Sequence, residues 1–115
     1  SMTLCDFVPL DVDTFLKLFN TATGFELTEE EYLKAGERTW NLSRMFNVRE
    51  GVSREDDSLP QRVYEPLPDG PTKGNAFTED MFDQMLDEYY ELRGWDENGI
   101  PTEEKLRELG LDFTL

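Results

Sequence analysis

The amino-acid sequence predicts an all-α fold, a small multihelical domain of about four helices with a long proline-rich loop. Three observations predict it: four capping signals each open a stretch of apolar residues at helical spacing, no run alternates strictly in the manner of a strand, and no internal repeat occurs.

The first helix is expected over about 12–22. Asp11 can accept hydrogen bonds from the first-turn N–H groups, Val12, Phe15, Leu16 and Phe19 recur on one face, and Gly24 stands where a left-handed cap ends a helix. The second opens on Thr28 and Glu31, a capping box, with Leu27 and Tyr32 as the hydrophobic staple and Glu29 to Glu31 at the positive helix end. It is expected to run to about Val48. Tyr32, Ala35, Thr39, Leu42 and Phe46 lie on one stripe, with Leu33, Gly36 and Trp40 beside it. Arg44 and Arg49 suit the negative pole, and Gly51 can terminate the helix.

Residues 52–76 hold Pro60, Pro66, Pro68 and Pro71 with Gly70 and Gly74, and no lasting period of 2 or 3.6, which reads as a long extended loop. A structureless connection beyond about 12–15 residues is unusual in a compact domain. The segment therefore calls for a functional or tethering role, such as lying on a surface that this chain does not contain.

Thr78 caps a third helix, stapled by Phe77 and Phe82, with Phe82, Met85, Leu86, Tyr89 and Tyr90 as its apolar face and Gly94 as its stop. Thr102 caps a short fourth helix with Leu106 and Leu109 facing inward and Gly110 beyond it, and the tail from Leu111 to Leu115 is expected to dock as an extended strap.

Composition narrows the function. The 115 residues suit a single domain, 1–115, able to bury a core rich in rings: 12% of residues are aromatic. The net charge of −15, of which the segment after residue 77 carries most, repels phosphate backbones and anionic headgroups, so neither nucleic acid nor a membrane surface is an expected partner. No apolar run approaches the roughly 18–20 residues of a membrane span, and the N-terminal residues lack a targeting pattern, so a cytoplasmic location is expected. One cysteine and no histidine exclude an intrachain disulfide, a Ser-His or Cys-His pair and the common zinc sites.

Candidate chemistry is sparse. Asp56-Asp57 and the group Asp83, Asp87, Glu88 and Glu91 could supply paired carboxylates or a divalent-metal site, although a solvated turn or helix face explains them as well. Asp96, Asn98 and Gly99 do not make a calcium loop, because Gly94 and Lys105 would fall at its first and twelfth positions. Trp40, Tyr89 and Tyr90 sit at core spacing. Cys5 is either an inert thiol or one ligand of an iron–sulfur cluster whose other thiolates lie elsewhere, and spacing alone leaves both readings open.

Longer runs carry more information. Gly36-Glu37-Arg38-Thr39-Trp40-Asn41-Leu42, Phe46-Asn47-Val48-Arg49-Glu50-Gly51, Asp56-Asp57-Ser58-Leu59-Pro60-Gln61-Arg62, Pro66-Leu67-Pro68-Asp69-Gly70-Pro71 and Met85 to Asp96 resemble, in order, the C-terminal domain of tungsten-containing aldehyde:ferredoxin oxidoreductases. The resemblance implies an enzyme several times longer that oxidises aldehydes to carboxylic acids at a tungsten-bis-pterin centre and passes electrons through a 4Fe–4S cluster to ferredoxin. On that footing the chain is only a C-terminal piece, inactive alone, whose partners are the N-terminal and middle domains and ferredoxin. The resemblance matches Leu4-Cys5 to the end of an Asp-x-x-Gly-Leu-Cys segment, which makes Cys5 the metal ligand and Leu4 and Asp6 candidates for pterin contact. Thr3 stands where that pattern has Gly, and the pattern's Asp would precede Ser1. No catalytic acid or base is assigned. The reading of a different class is a free-standing acidic helical protein-interaction module that takes a basic partner.

Overall fold

A computed structural model of the chain describes Phe7 and residues 9–115. Its four helices are α1 (Val12–Thr23), α2 (Glu29–Arg49), α3 (Glu79–Arg93) and α4 (Glu103–Glu108). Single 3-10 turns lie at Arg54–Asp56, Gln61–Tyr64 and Asp112–Thr114. Among the described residues the only β pairing is one isolated bridge between Trp95 and Pro101, and the all-α expectation holds.

The helix starts follow the local chemistry. Asp11 accepts from the Thr14 N–H at 2.8 Å, Thr28 and Glu31 close a reciprocal capping box, and Thr78 and Thr102 cap α3 and α4 by accepting from Met81 N and Lys105 N. The first loop is also held: the Asn20 side chain both donates to and accepts from the backbone of Leu27, and Phe19 meets Phe25 and Tyr32 at ring separations of 6.0 and 6.3 Å. That seats α1 on the opening of α2.

The segment 52–76 contains no α-helix or strand but is not wholly extended, since two of the 3-10 turns fall within it. Its tip closes on itself, with Leu67 N donating to Asn75 O and Gly74 N to Leu67 O, and the Phe77 N–H returns to Val63 O. The tail likewise departs from the expected strap. Leu111 is buried, and the 3-10 turn after it leaves Phe113 and Leu115 exposed.

The core is small. Leu106, Leu109 and Leu111 form its buried cluster, with Met45 of α2 packed against it. Leu106→Ala is expected to cost about 2–5 kcal/mol, read by chemical denaturation, because that side chain is 1% exposed and sits at the centre of the cluster.

The apolar stripe of α2 corrects the sequence reading. Leu33, Trp40, Leu42 and Phe46 are exposed, and the residues that α2 buries are Asn41 and Arg44. Periodicity identifies the apolar face of a helix, but whether it is covered depends on what lies opposite, and in this chain the covered side of α2 is the one where Asn41 meets Trp95, Arg44 meets Asp57 and Gly99, and Met45 packs on the leucine cluster. Met85 on α3 is exposed for the same reason, while Tyr90 is buried. The radius of gyration, 18.3 Å, exceeds the about 13 Å of a compact chain of this length.

Candidate functional site

The most constrained polar site in the described chain lies where the start of the proline-rich segment meets α2 and α3. The Ser53 hydroxyl accepts from Glu55 N and the Ser53 backbone N–H donates back to the Asp56 carboxylate, so a 3-10 turn forms and Asp57, immediately after it, projects inward. Opposite stands Arg44, about three and a half turns beyond the capping box of α2. Its Nη1 and Nη2 donate to the two Asp57 oxygens at 2.9 and 2.6 Å, a bidentate pair, while Nε donates to the Gly99 carbonyl at 2.7 Å. Tyr90 of α3 donates its hydroxyl to Asp57 Oδ2 at 2.5 Å.

Aromatic rings wall this pair. The Arg44 guanidinium lies 4.9 Å from the Trp95 ring centroid, and the Tyr90 ring packs on Trp95 at 5.8 Å. Trp95 Nε1 donates to Asn41 Oδ1 at 2.8 Å, and Asn41 Nδ2 donates to Glu37 O, so the fully buried amide is satisfied on both sides. Arg54 lies over the outer face of Tyr90 and donates to Asp87.

The electrostatics follow from this arrangement. Burial pushes the Asp57 carboxyl up, but the hydrogen bonds from Arg44 and Tyr90, with the charges of Arg44 and Arg54, outweigh it and hold the group below the usual carboxylate range. Burial, the hydrogen bond to Asp57 and its negative charge push the Tyr90 hydroxyl up to about 12. No buried side-chain nitrogen or oxygen among the described residues lacks a partner. A network with every member satisfied has no free base or nucleophile to offer. Its chemistry is that of a clamp, which binds the proline-rich segment to the two long helices.

The other candidates separate cleanly. Of the Asp56-Asp57 pair, Asp56 caps a turn and Asp57 is an ion-pair partner. Asp83 and Asp87 flank Arg54 at 3.7 and 2.6 Å, Glu88 accepts from Gln84, and Glu91 is exposed. Among the described residues no group of three or more carboxylates, thiols or imidazoles is placed to hold a metal ion. Asp96 accepts from Asn98 N and Ile100 N, both at 2.9 Å, which folds the loop that presents the Gly99 carbonyl to Arg44. Trp40, expected in the core, is 51% exposed, although its Nε1 donates to Tyr89 at 2.8 Å. Arg44, which its position near the end of α2 suits to the helix dipole, is instead buried and paired with Asp57 and the Gly99 carbonyl. Cys5, Leu4 and Asp6 lie outside the described residues.

Comparison with known proteins gives the clamp its setting. The family model described as "Aldehyde ferredoxin oxidoreductase, domains 2 & 3" matches residues 1–111. Tungsten-containing aldehyde ferredoxin oxidoreductases are 45% identical over 105 residues in Pyrococcus abyssi and 46% identical over 104 residues in Pyrococcus furiosus. These matches take up 90% and 89% of this chain and 17% of each relative. Among solved structures, the active site complex BamBC of benzoyl coenzyme A reductase in complex with 1,5-dienoyl-CoA aligns with a TM-score of 0.74 at 31% identity, over 92% of this chain and 15% of that one.

Proposed function

The chain belongs to the aldehyde ferredoxin oxidoreductase family, and from that premise we propose that it is the C-terminal part of a tungsten-containing enzyme that oxidises an aldehyde to a carboxylic acid. The chain spans about a sixth of the length of the curated relatives it matches, so activity, substrate and electron acceptor belong to a larger polypeptide. The observation that carries the reading is the match of residues 1–111 to the family model that describes domains 2 and 3 of these enzymes.

In the reaction, aldehyde and water become carboxylic acid with release of two protons and two electrons. The tungsten-pterin centre and a 4Fe–4S cluster supply the redox chemistry when bound, and ferredoxin takes the electrons one at a time. Of the four thiolates that a 4Fe–4S cluster needs, this chain can provide one, from Cys5. Leu4 and Asp6 flank that ligand and are proposed to border the pterin. The described residues supply no further donor set, so their part is to hold shape: Arg44, Asp57 and Tyr90 fix the proline-rich segment against α2 and α3. The similarity to a benzoyl coenzyme A reductase complex, a protein of another name and ligand, supports a role in scaffolding rather than substrate choice. No helix among the described residues is long and apolar enough to cross a membrane, and a cytoplasmic location is proposed.

The test is Cys5→Ser in the intact enzyme. Loss of the reduced-cluster electron paramagnetic resonance signal, with loss of ferredoxin-linked aldehyde oxidation, is expected. A cluster signal of wild-type intensity would remove Cys5 from the ligand set.

A further inference from the structure

We propose that the outward face of α2 around Leu33, Gly36 and Trp40, with Tyr89 and Arg93 of α3, is the seat on which the preceding part of the same polypeptide packs, its backbone crossing α2 at Gly36. The proposal rests on the reading above that the chain is one part of a longer enzyme, and it names the surface that joins them.

The first support is area. The chain exposes 8895 Å², whereas a compact monomer of its 13.4 kDa mass exposes about 6,500 Å². The excess, roughly 2,400 Å² on this side alone and spread over the chain, matches the about 1,000–2,500 Å² that each partner contributes to a permanent interface.

The second is the chemistry of the face. Leu33 is 52% exposed and Trp40 nearly the same. The Arg93 guanidinium lies 5.1 Å from the Tyr89 ring centroid and 5.9 Å from that of Trp40, and Trp40 donates to the Tyr89 hydroxyl. Tryptophan, tyrosine and arginine are the residue types that dominate binding energy at interfaces, and these three hold one another in place before anything binds. Ion pairs of Glu108 with Lys34 and of Lys105 with Glu37 border the patch as a charged rim.

The third is Gly36 itself. Glycine weakens a helix interior relative to alanine, yet a Cβ at this position would meet nothing within 4 Å inside the chain. No internal contact requires the glycine. A backbone crossing from outside does.

The occupant follows from length and charge. The relatives extend far beyond the 17% of their length that matches, and a segment tethered in the same polypeptide arrives at high effective concentration. A second copy would bring another −15 charge against the first.

The experiment uses the intact enzyme carrying Leu33→Cys or, as reference, Glu103→Cys on the charged outer face of α4, whose side chain is 66% exposed. Each is labelled with a maleimide and read by peptide mass spectrometry at a concentration where the enzyme is monomeric. Labelling at least tenfold slower at 33 than at 103 is expected, and equal rates overturn the proposal. Protection seen only at higher concentration and lost in the monomer assigns the face to a second copy and overturns it as well. Gly36→Leu gives an independent sign: on an uncovered helix it raises Tm, beneath a crossing backbone it lowers Tm, and a rise or no change overturns the crossing. Should that variant fail to fold, the labelling decides. Neither readout involves the cluster, so Cys5→Ser retaining its cluster would defeat the proposed ligand role and leave the seat standing.

Discussion

Asp57→Asn is expected to lower the unfolding free energy by about 3–5 kcal/mol, the usual cost of removing one partner from a buried ion pair, whereas Asp56→Asn next to it costs about 1 kcal/mol, the scale of a lost cap. The difference comes from what each carboxylate faces. Asp56 closes an exposed turn. Asp57 accepts two bonds from an Arg44 that is 7% exposed and a third from Tyr90, so its neutralisation leaves a guanidinium buried without its counter-charge. The same pair sets the acid limit. Because the folded state holds the Asp57 carboxyl below its ordinary value, its contribution is complete above about pH 4 and is lost as pH falls through the lowered value. Tyr90 acts in the opposite sense: its contribution is complete below about pH 10 and fades as pH rises through about 12. Urea unfolding across this range should show a smaller acid loss in Asp57→Asn than in the wild type, the remainder coming from Asp11, Glu31 and Glu108, whose carboxyls are also held low by their hydrogen bonds. Equal acid sensitivity of the two would count against the clamp.

Gly99→Ala is the second large effect, and it is expected to cost about 2–5 kcal/mol, combining left-handed backbone strain of about 1–2 kcal/mol with overpacking of about 1–3 kcal/mol. Gly99 has φ +73°, and a Cβ there would lie 2.7 Å from the Tyr90 hydroxyl and closer still to Arg44 Nη2. Both neighbours are held by the Asp57 pair and neither is free to withdraw. A substitution of one methyl group should therefore act like removal of the ion pair, with a lower midpoint in urea and Asp57 chemically unchanged. A loss below about 1 kcal/mol would mean that the guanidinium has room to move, contrary to its three bonds.

The helices were legible because their signals are local. Thr28 with Glu31, Thr78, Thr102 and the stops Gly24 and Gly94 each act within four or five residues, and every one of them caps as read. The clamp was not legible, because its members lie 13 to 55 positions apart and nothing local marks Arg44 as different from Arg49. An asparagine and an arginine three residues apart, Asn41 and Arg44 on one side of an otherwise amphipathic helix, are the faint sign that this side is buried. The misplacement of Trp40 and Phe46 has another cause. Apolar spacing reports which surface avoids water, and here the covering partner is proposed to lie outside the chain. Cys5 was reached through resemblance alone, since a single thiol has no spacing to read.

A chain with one cysteine has no covalent means of tying distant segments together, and Arg44 takes over that task. By binding the carboxylate of residue 57 and the carbonyl of residue 99 from one side chain, it closes a ring that contains residues 58–98, with all four prolines of the segment and α3. In the unfolded chain such closure costs entropy that grows only slowly with loop length, so a long excursion between the two anchor points adds little to the cost. The excursion can therefore lengthen, shorten or change sequence while both ends stay at fixed points on α2. Being non-covalent, the tie is also indifferent to reductants that would open a disulfide, which suits a polypeptide proposed to work among low-potential electron carriers.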